Sequence, residues 1–223
     1  MTKQKNPELY YISREKELLK EFDKISRITR GALTEYGGPQ FANVVIVGAR
    51  TEFADILPTL PYIGGNHNFL TADIIEAAVI LAFYKELAIR EVPLANISRI
   101  VHETIRRRVR RYPRLVLRLA GRLKESRWFI KRRARQAQRS RERRYPGDWV
   151  FTFVPGDGKG LLYGLDFTEC GICTLYRAHG ADRAIPINCA VDFIVADAFG
   201  MKLTRTKTVA GGGEVCNFRY MKG

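Results

Sequence analysis

The chain has 223 residues, of which 46% are hydrophobic and 27% charged, so it can bury a substantial core and wholesale disorder is excluded. Its formal net charge of +15 is concentrated. Residues 105–145 hold 18 Lys/Arg against Glu125 and Glu142, while the rest of the chain holds 20 Lys/Arg and 21 Asp/Glu, so one basic segment is attached to a near-neutral protein.

At the N-terminus, MTKQKNPELYY lacks the apolar core of a secretory signal. No run approaches the ~18–20 apolar residues that span a bilayer, and the longest, Ile74–Phe83, carries Glu76. A cytoplasmic protein with reduced cysteines is expected. The stretch SREKELLKEFDKISRIT predicts an amphipathic helix, apolar at Leu18, Leu19, Phe22, Ile25 and Ile28. A YGGPQ turn leads to FANVVIVGA, an apolar run ambiguous between a strand and a buried helical turn. A Pro/Gly/Asn-rich loop, LPTLPYIGGNHNFLT, comes next. Asn68 or Thr71 is positioned to cap the following helix, ADIIEAAVILAFYKELAIRE, which is apolar on nearly every face and so predicted to be buried.

PLANISRIVHETIRRRVRRY reads as a further helix. In the basic segment the arginines recur every three or four residues from Arg107 to Arg122, which predicts a long helix. Its apolar stripe (Leu115, Leu119, Leu123, Phe129 and Ile130) suggests that one side packs on the body of the protein or on a second subunit. After YPGD four β-like runs appear: WVFTFV, LLYGLDF, MKLTRTKTV and VCNFRYM. Two helices, broken near Gly180 and Pro186, separate the second run from the third. The expected class is α+β: an N-terminal helical part, then a small antiparallel sheet of about four strands packed with helices. The expected units are 1–104, helical with the PYIGG loop; 105–146, basic and amphipathic; and 147–223, an α+β unit carrying the cysteines. All three are expected to form one integrated domain.

Chemistry concentrates at Thr168–Cys173, TECGIC, directly after a strand. Two cysteines one turn apart admit three readings. A redox pair of the thioredoxin kind needs a later strand preceded by proline, and no proline follows Pro186. A zinc site could draw on three or four of Cys170, Cys173, Cys189 and Cys216, foremost Cys170, Cys189 and Cys216, although the paired spacing of a zinc ribbon is not repeated. The plain reading is a buried small hydrophobe. It suits Cys173, on an apolar helix with Leu175 and Tyr176. It suits the others less well. Cys170 follows Glu169, Cys189 shares a helical face with Asp192, and Cys216 alternates with Phe218 while Asn217 and Arg219 share the opposite strand face.

The run DFTECGIC…NCAVDF…LTRTKTVAGGGEVCNFRY resembles the L-2-amino-thiazoline-4-carboxylic acid hydrolase family. The LPYIGGNHNFLT loop and the YPGDWVFTFVPGDG junction extend the likeness over about residues 50–223. Asn217 stands where the family pattern usually has Asp. The resemblance implies hydrolytic opening of a cyclic isothiourea to a carbamoyl-cysteine product. It implies a nucleophile at Cys170, with Cys189 and Cys216 as alternatives. Asp192 then serves as base or amidine-binding group, and Glu169 as a second acid/base. Arg205 and Arg219 are implied as carboxylate clamps, with Thr206, Thr208 and Asn217 beside the substrate. No cofactor is required by these residues, and zinc is admitted. The expected partner is a small anionic substrate, with a second copy of the chain as a further candidate.

Two readings of other classes stay open: a small-molecule-sensing or zinc-binding domain without turnover, and binding of RNA or an anionic membrane through 105–145, with Trp128, Phe129 and Tyr145 interleaved. His67 sits in the PYIGGNHN loop, while His102 and His179 are expected on helix surfaces. No Ser-His-Asp order or HExxH motif supports triad or zincin chemistry.

Overall fold

The structure, a computed structural model, describes residues 9–221. Residues 1–8, on which most of the reading of the N-terminus as lacking a signal rests, lie outside the described residues. The first helix, α1 (Glu15–Ile56), is two arms folded against each other at Gly38. The backbone there has φ 86° and ψ 173°, a conformation essentially reserved for glycine, and Pro39 starts the second arm. Across the arms, Phe22 stacks on Phe53 with ring centroids 5.3 Å apart, and Arg50 Nε donates to Asp23 Oδ1 at 2.9 Å. The apolar run FANVVIVGA is therefore helical, and its Ala42, Val45 and Ala49 are buried in the core.

Helix α2 (Thr71–Ile89) runs through the centre, which explains why it is apolar all round. It packs on α1 through Phe83, stacked on Phe22. On its other side it meets the fully buried Tyr176, whose hydroxyl donates to the Ala77 carbonyl oxygen at 3.0 Å. Neither expected cap occupies the capping position, which falls to Leu70. Asn68 Oδ1 instead accepts the Leu70 N–H at 2.9 Å, and the Thr71 hydroxyl donates to the Gly65 carbonyl oxygen at 2.6 Å.

Helix α3 (Leu94–Arg110) lies against α1. The long basic helix expected after it is two helices, α4 (Arg114–Lys124) and α5 (Arg127–Ser140). Extended backbone at Pro113 and at Ser126 interrupts the run, and the Ser126 hydroxyl caps α5 by accepting the Phe129 N–H. The predicted packing stripe divides accordingly. Phe129 and Ile130 pack on the core, whereas Leu115, Leu119 and Leu123 face outward.

The sheet is antiparallel throughout, in the order β1-β2-β4-β3, with β1 Val150–Pro155, β2 Leu161–Glu169, β3 Lys202–Thr204 and β4 Cys216–Met221. Helices α6 (Gly171–Ala178) and α7 (Ile185–Ala198) lie between β2 and β3. The fold is α+β, as expected. Strand parity divides the sheet. Tyr163, Leu165 and Phe167 of β2 pair with Tyr220, Phe218 and Cys216 of β4 on the inner face, while Asp166, Asn217 and Arg219 share the outer one. Strand β3 is shorter than MKLTRTKTV predicts. Beyond Thr204, Asn217 Oδ1 accepts the N–H groups of Thr206 (3.0 Å) and Lys207 (2.7 Å), so a side chain takes over from the ladder. No helix among the described residues is long and apolar enough to cross a membrane.

Candidate active site

A cavity of about 340 Å³ lies between the inner face of the sheet and helices α2, α4, α5 and α7, with the start of α6 at one end. Its walls are largely aromatic and aliphatic. Its polar groups gather in two clusters.

The first cluster contains the cysteines. Strand β2 ends at Glu169 and Cys170 is the N-cap of α6, so the TECGIC corner turns directly from strand to helix. Glycine at 171 is required there by close approach: a Cβ would lie 2.7 Å from the Gly147 carbonyl oxygen and 2.9 Å from the Trp149 ring. No capping hydrogen bond closes onto the Cys170 sulfur. Even so, the Cys173 thiol, and then the N–H groups of Cys173 and Ile172, hold Cys170 below the ordinary thiol range against the effect of burial. Cys173 itself is 3% exposed and sits behind Cys170 in the core, pushed up by its hydrogen bond to Cys170 and by burial. Burial pushes Cys189 up to about 12. Burial also raises Cys216, whose sulfur accepts the Val209 N–H at 3.2 Å. Of the four free cysteines, only Cys170 has surroundings that favour the thiolate.

Asp192 and Arg205 stand beside these sulfurs. Arg205 Nη1 donates to Asp192 Oδ2 and Nη2 to the Cys189 carbonyl oxygen, both at 2.7 Å, and the guanidinium lies over the Phe218 ring. The Arg205 side chain is 4% exposed, so the pair is held rigidly from one side. Asp192 lies deep in the molecule yet keeps 45% of its side-chain surface open, because what it faces is the cavity. Burial raises its carboxyl, and the charge and hydrogen bond of Arg205 oppose that rise.

The second cluster comes from helices that the sequence did not single out for chemistry. Asp73 and Glu76, one turn apart on α2, face the cavity with Arg108, Lys124 and Arg133. Arg108 Nη2 donates to both Glu76 oxygens, at 2.8 and 2.9 Å. Lys124 lies 3.8 Å from the centroid of the Phe199 ring, and the Arg133 guanidinium 4.1 Å from that of Phe69. Among the described residues neither cation reaches a carboxylate within ion-pair distance. Burial lowers both, most directly marking them as cations held away from bulk water. Asp73 is pushed up to about 6, first by burial and then by Glu76 and Asp192, against Arg133 and Lys124.

Five of the residues expected from the sequence line this one cavity: Cys170, Cys189, Asp192, Arg205 and Cys216. Others do not. Glu169 is half-buried outside the cavity and paired with Arg143. Arg219, expected as a clamp, is on the outer face of the sheet and donates to Asp166 at 2.6 and 3.2 Å. Asn217 shares that face and also donates through Nδ2 to the Thr206 hydroxyl at 2.9 Å, so Asn217 and Thr206 serve the β3–β4 connection rather than the cavity. Thr208 accepts the Gly211 N–H in a local turn. His67 does not line the cavity, and His102 is half-buried on α3, with its Nε2 2.9 Å from the Ile187 carbonyl oxygen. Among the described residues no group of three or more His, Cys, Asp or Glu is placed to hold a metal ion, so Cys170, Cys189 and Cys216 share a cavity without forming a ligand set.

The signal for Asp73 and Glu76 was present: two carboxylates three residues apart in the first turns of a largely apolar buried helix. Lys124 and Arg133 carry no such mark among the 18 basic residues of 105–145. The sequence matches the family described as L-2-amino-thiazoline-4-carboxylic acid hydrolase over residues 72–220, a span that includes both clusters. No match is found among curated proteins or solved structures. The chain belongs to that family.

Proposed function

We propose that this member of the L-2-amino-thiazoline-4-carboxylic acid hydrolase family opens a small cyclic isothiourea bearing a carboxylate, with Cys170 as nucleophile. The observation that carries the reading is the pairing of features in one cavity: the single cysteine disposed to ionise, and two cations, Lys124 and Arg133, that have no carboxylate partner among the described residues. A thiazoline carboxylate offers an electrophilic sp² carbon to the first and an anion to the second. Binding both ends fixes the distance between thiolate and carbon, which is where most of the acceleration in such a step originates.

The Cys170 thiolate attacks C2 of the ring. The C2–S bond breaks, and the ring sulfur leaves as a thiol after taking a proton. Asp73 is the proton donor in this account, because a bound carboxylate raises further a carboxyl already pushed up to about 6. Asp192, oriented by Arg205, accepts hydrogen bonds from the amidine nitrogens. Water then adds to C2 of the isothiouronium adduct, the Cys170–C2 bond breaks, and a carbamoyl-cysteine leaves with the enzyme thiolate restored. The family's Asp at position 217 is no part of this scheme, since Asn217 faces away from the cavity.

The test is release of thiol from 2-amino-thiazoline-4-carboxylate. Wild type turns over. Cys170→Ser loses on the order of 10³-fold or more in kcat. Arg133→Gln raises KM about tenfold, the loss of one charge-assisted hydrogen bond to the carboxylate, with a smaller change in kcat. Turnover that survives Cys170→Ser contradicts the nucleophile but leaves the hydrolase reading intact. No turnover by well-folded wild type contradicts the substrate.

A further inference from the structure

Helix α4 presents an apolar face that no part of the described protein covers. Leu115, Leu119 and Leu123 recur at every fourth position and Val116 lies beside them, so the four share one side of the helix. They are between 51% and 70% exposed, far from the buried state usual for such side chains. The opposite side of the helix is the one that packs, through the buried Gly121 against Phe199. Just beyond the end of α4, Trp128 is 67% exposed, with the Arg132 guanidinium over its ring.

Charge indicates what covers this face. Arg118 and Arg122 flank the leucines, and Arg127 and Arg132 continue the row past Ser126; all four are exposed, and among the described residues none pairs with a carboxylate. A helix with leucines at its centre, arginines along its edge and a tryptophan at its end matches the two layers of an anionic bilayer surface, acyl chain below and phosphate above. A second copy docking on the same face would bring the two arginine rows together and pay for their repulsion. A nucleic acid would satisfy the arginines and leave the leucines against phosphates.

We propose that the α4 face, with Trp128, docks the protein on anionic phospholipid membranes. Lys124 extends from the same helix into the cavity, so the docking element also forms part of the wall of the site. The inference does not rest on the hydrolase reading.

The test is co-sedimentation of the full chain with vesicles of phosphatidylcholine alone or of equimolar phosphatidylcholine and phosphatidylglycerol. The expected result is binding to the anionic vesicles that weakens with salt, together with a blue shift of tryptophan emission from Trp128, since Trp149 is already buried. A Leu119→Ser/Leu123→Ser variant is expected to bind about tenfold or more weakly. An Arg118→Gln/Arg122→Gln variant is expected to lose about fivefold for each charge, and it decides the matter if the leucine variant does not fold. Four results would overturn the proposal: no binding to anionic vesicles, unchanged binding by both variants, a dimer in sedimentation velocity that the leucine variant dissociates, or binding to RNA that survives loss of the leucines.

Discussion

At Asp73, two nearby cations fail to hold a carboxyl in its ordinary range, because burial and the charges of Glu76 and Asp192 outweigh them. The consequence for stability has a definite sign. A carboxyl whose pKa rises on folding, here from 3.8 to about 6, favours the folded state below 3.8 and loses that contribution as pH climbs through about 6. The side chain opens to the cavity, so solvent screens much of the effect. Asp73→Asn is therefore expected to melt about 2–4 °C above wild type near neutral pH, with the difference closing below 3.8. Thermal melts across that range check it. An acidic-side increase in the gap would contradict the assignment. At this scale the sequence was most legible where chemistry is local: Cys170 of TECGIC, Cys189 and Asp192 of NCAVD, Arg205 and Cys216 all reach the cavity. Asn217 and Arg219 did not, although they alternate with cavity residues along β4, because strand parity sends neighbours to opposite faces. Asp73, Lys124 and Arg133 come from distant helices, and only tertiary packing brings them to the sulfurs.

The strand-to-helix corner between β2 and α6 is the element on which the site depends. Gly171 admits the Gly147 carbonyl and the Trp149 ring where any side chain would collide with backbone. Gly171→Ala must displace the first turn of α6, and with it the N–H groups and the Cys173 thiol that favour the Cys170 thiolate. We expect a loss of about 1–3 kcal/mol in stability, the usual cost of overpacking a tight site, which exceeds any gain in helix propensity. Alkylation of Cys170 at mildly acidic pH should also slow. An unchanged melt and alkylation rate would show that α6 can shift freely. The four strands and most helices were readable from periodicity, as were the end of α7 and the break before it. The division of the basic segment was less so, since arginines keep helical spacing across Pro113 and Ser126 while the backbone does not. Nor could periodicity show that FANVVIVGA is the second arm of a hairpin of helices, because an apolar run that short fits a strand or a buried helix equally well.

Over the whole molecule, the basic segment contributes to three environments. Arg107 and Arg108 close ion pairs onto Glu35 of α1 and Glu76 of α2 that tie α3 to its neighbours. Lys124 and Arg133 face the cavity. Arg118, Arg122, Arg127 and Arg132 face outward beside the uncovered leucines. The net charge of +15 is therefore the sum of separate tasks, and its concentration in the sequence concealed which arginines belong to the site. Cys170 and the cations Lys124 and Arg133 line one cavity, and the central claim is that the substrate's C2 becomes bonded to Cys170. The direct measurement is the intact mass of the protein after rapid acid quench during turnover of 2-amino-thiazoline-4-carboxylate, with peptide mapping of the adduct. A gain of one substrate mass per chain is expected, located on Cys170 and absent from Cys170→Ser. Turnover without any adduct, and with Cys170→Ser still active, would contradict it and transfer the attack to a water molecule.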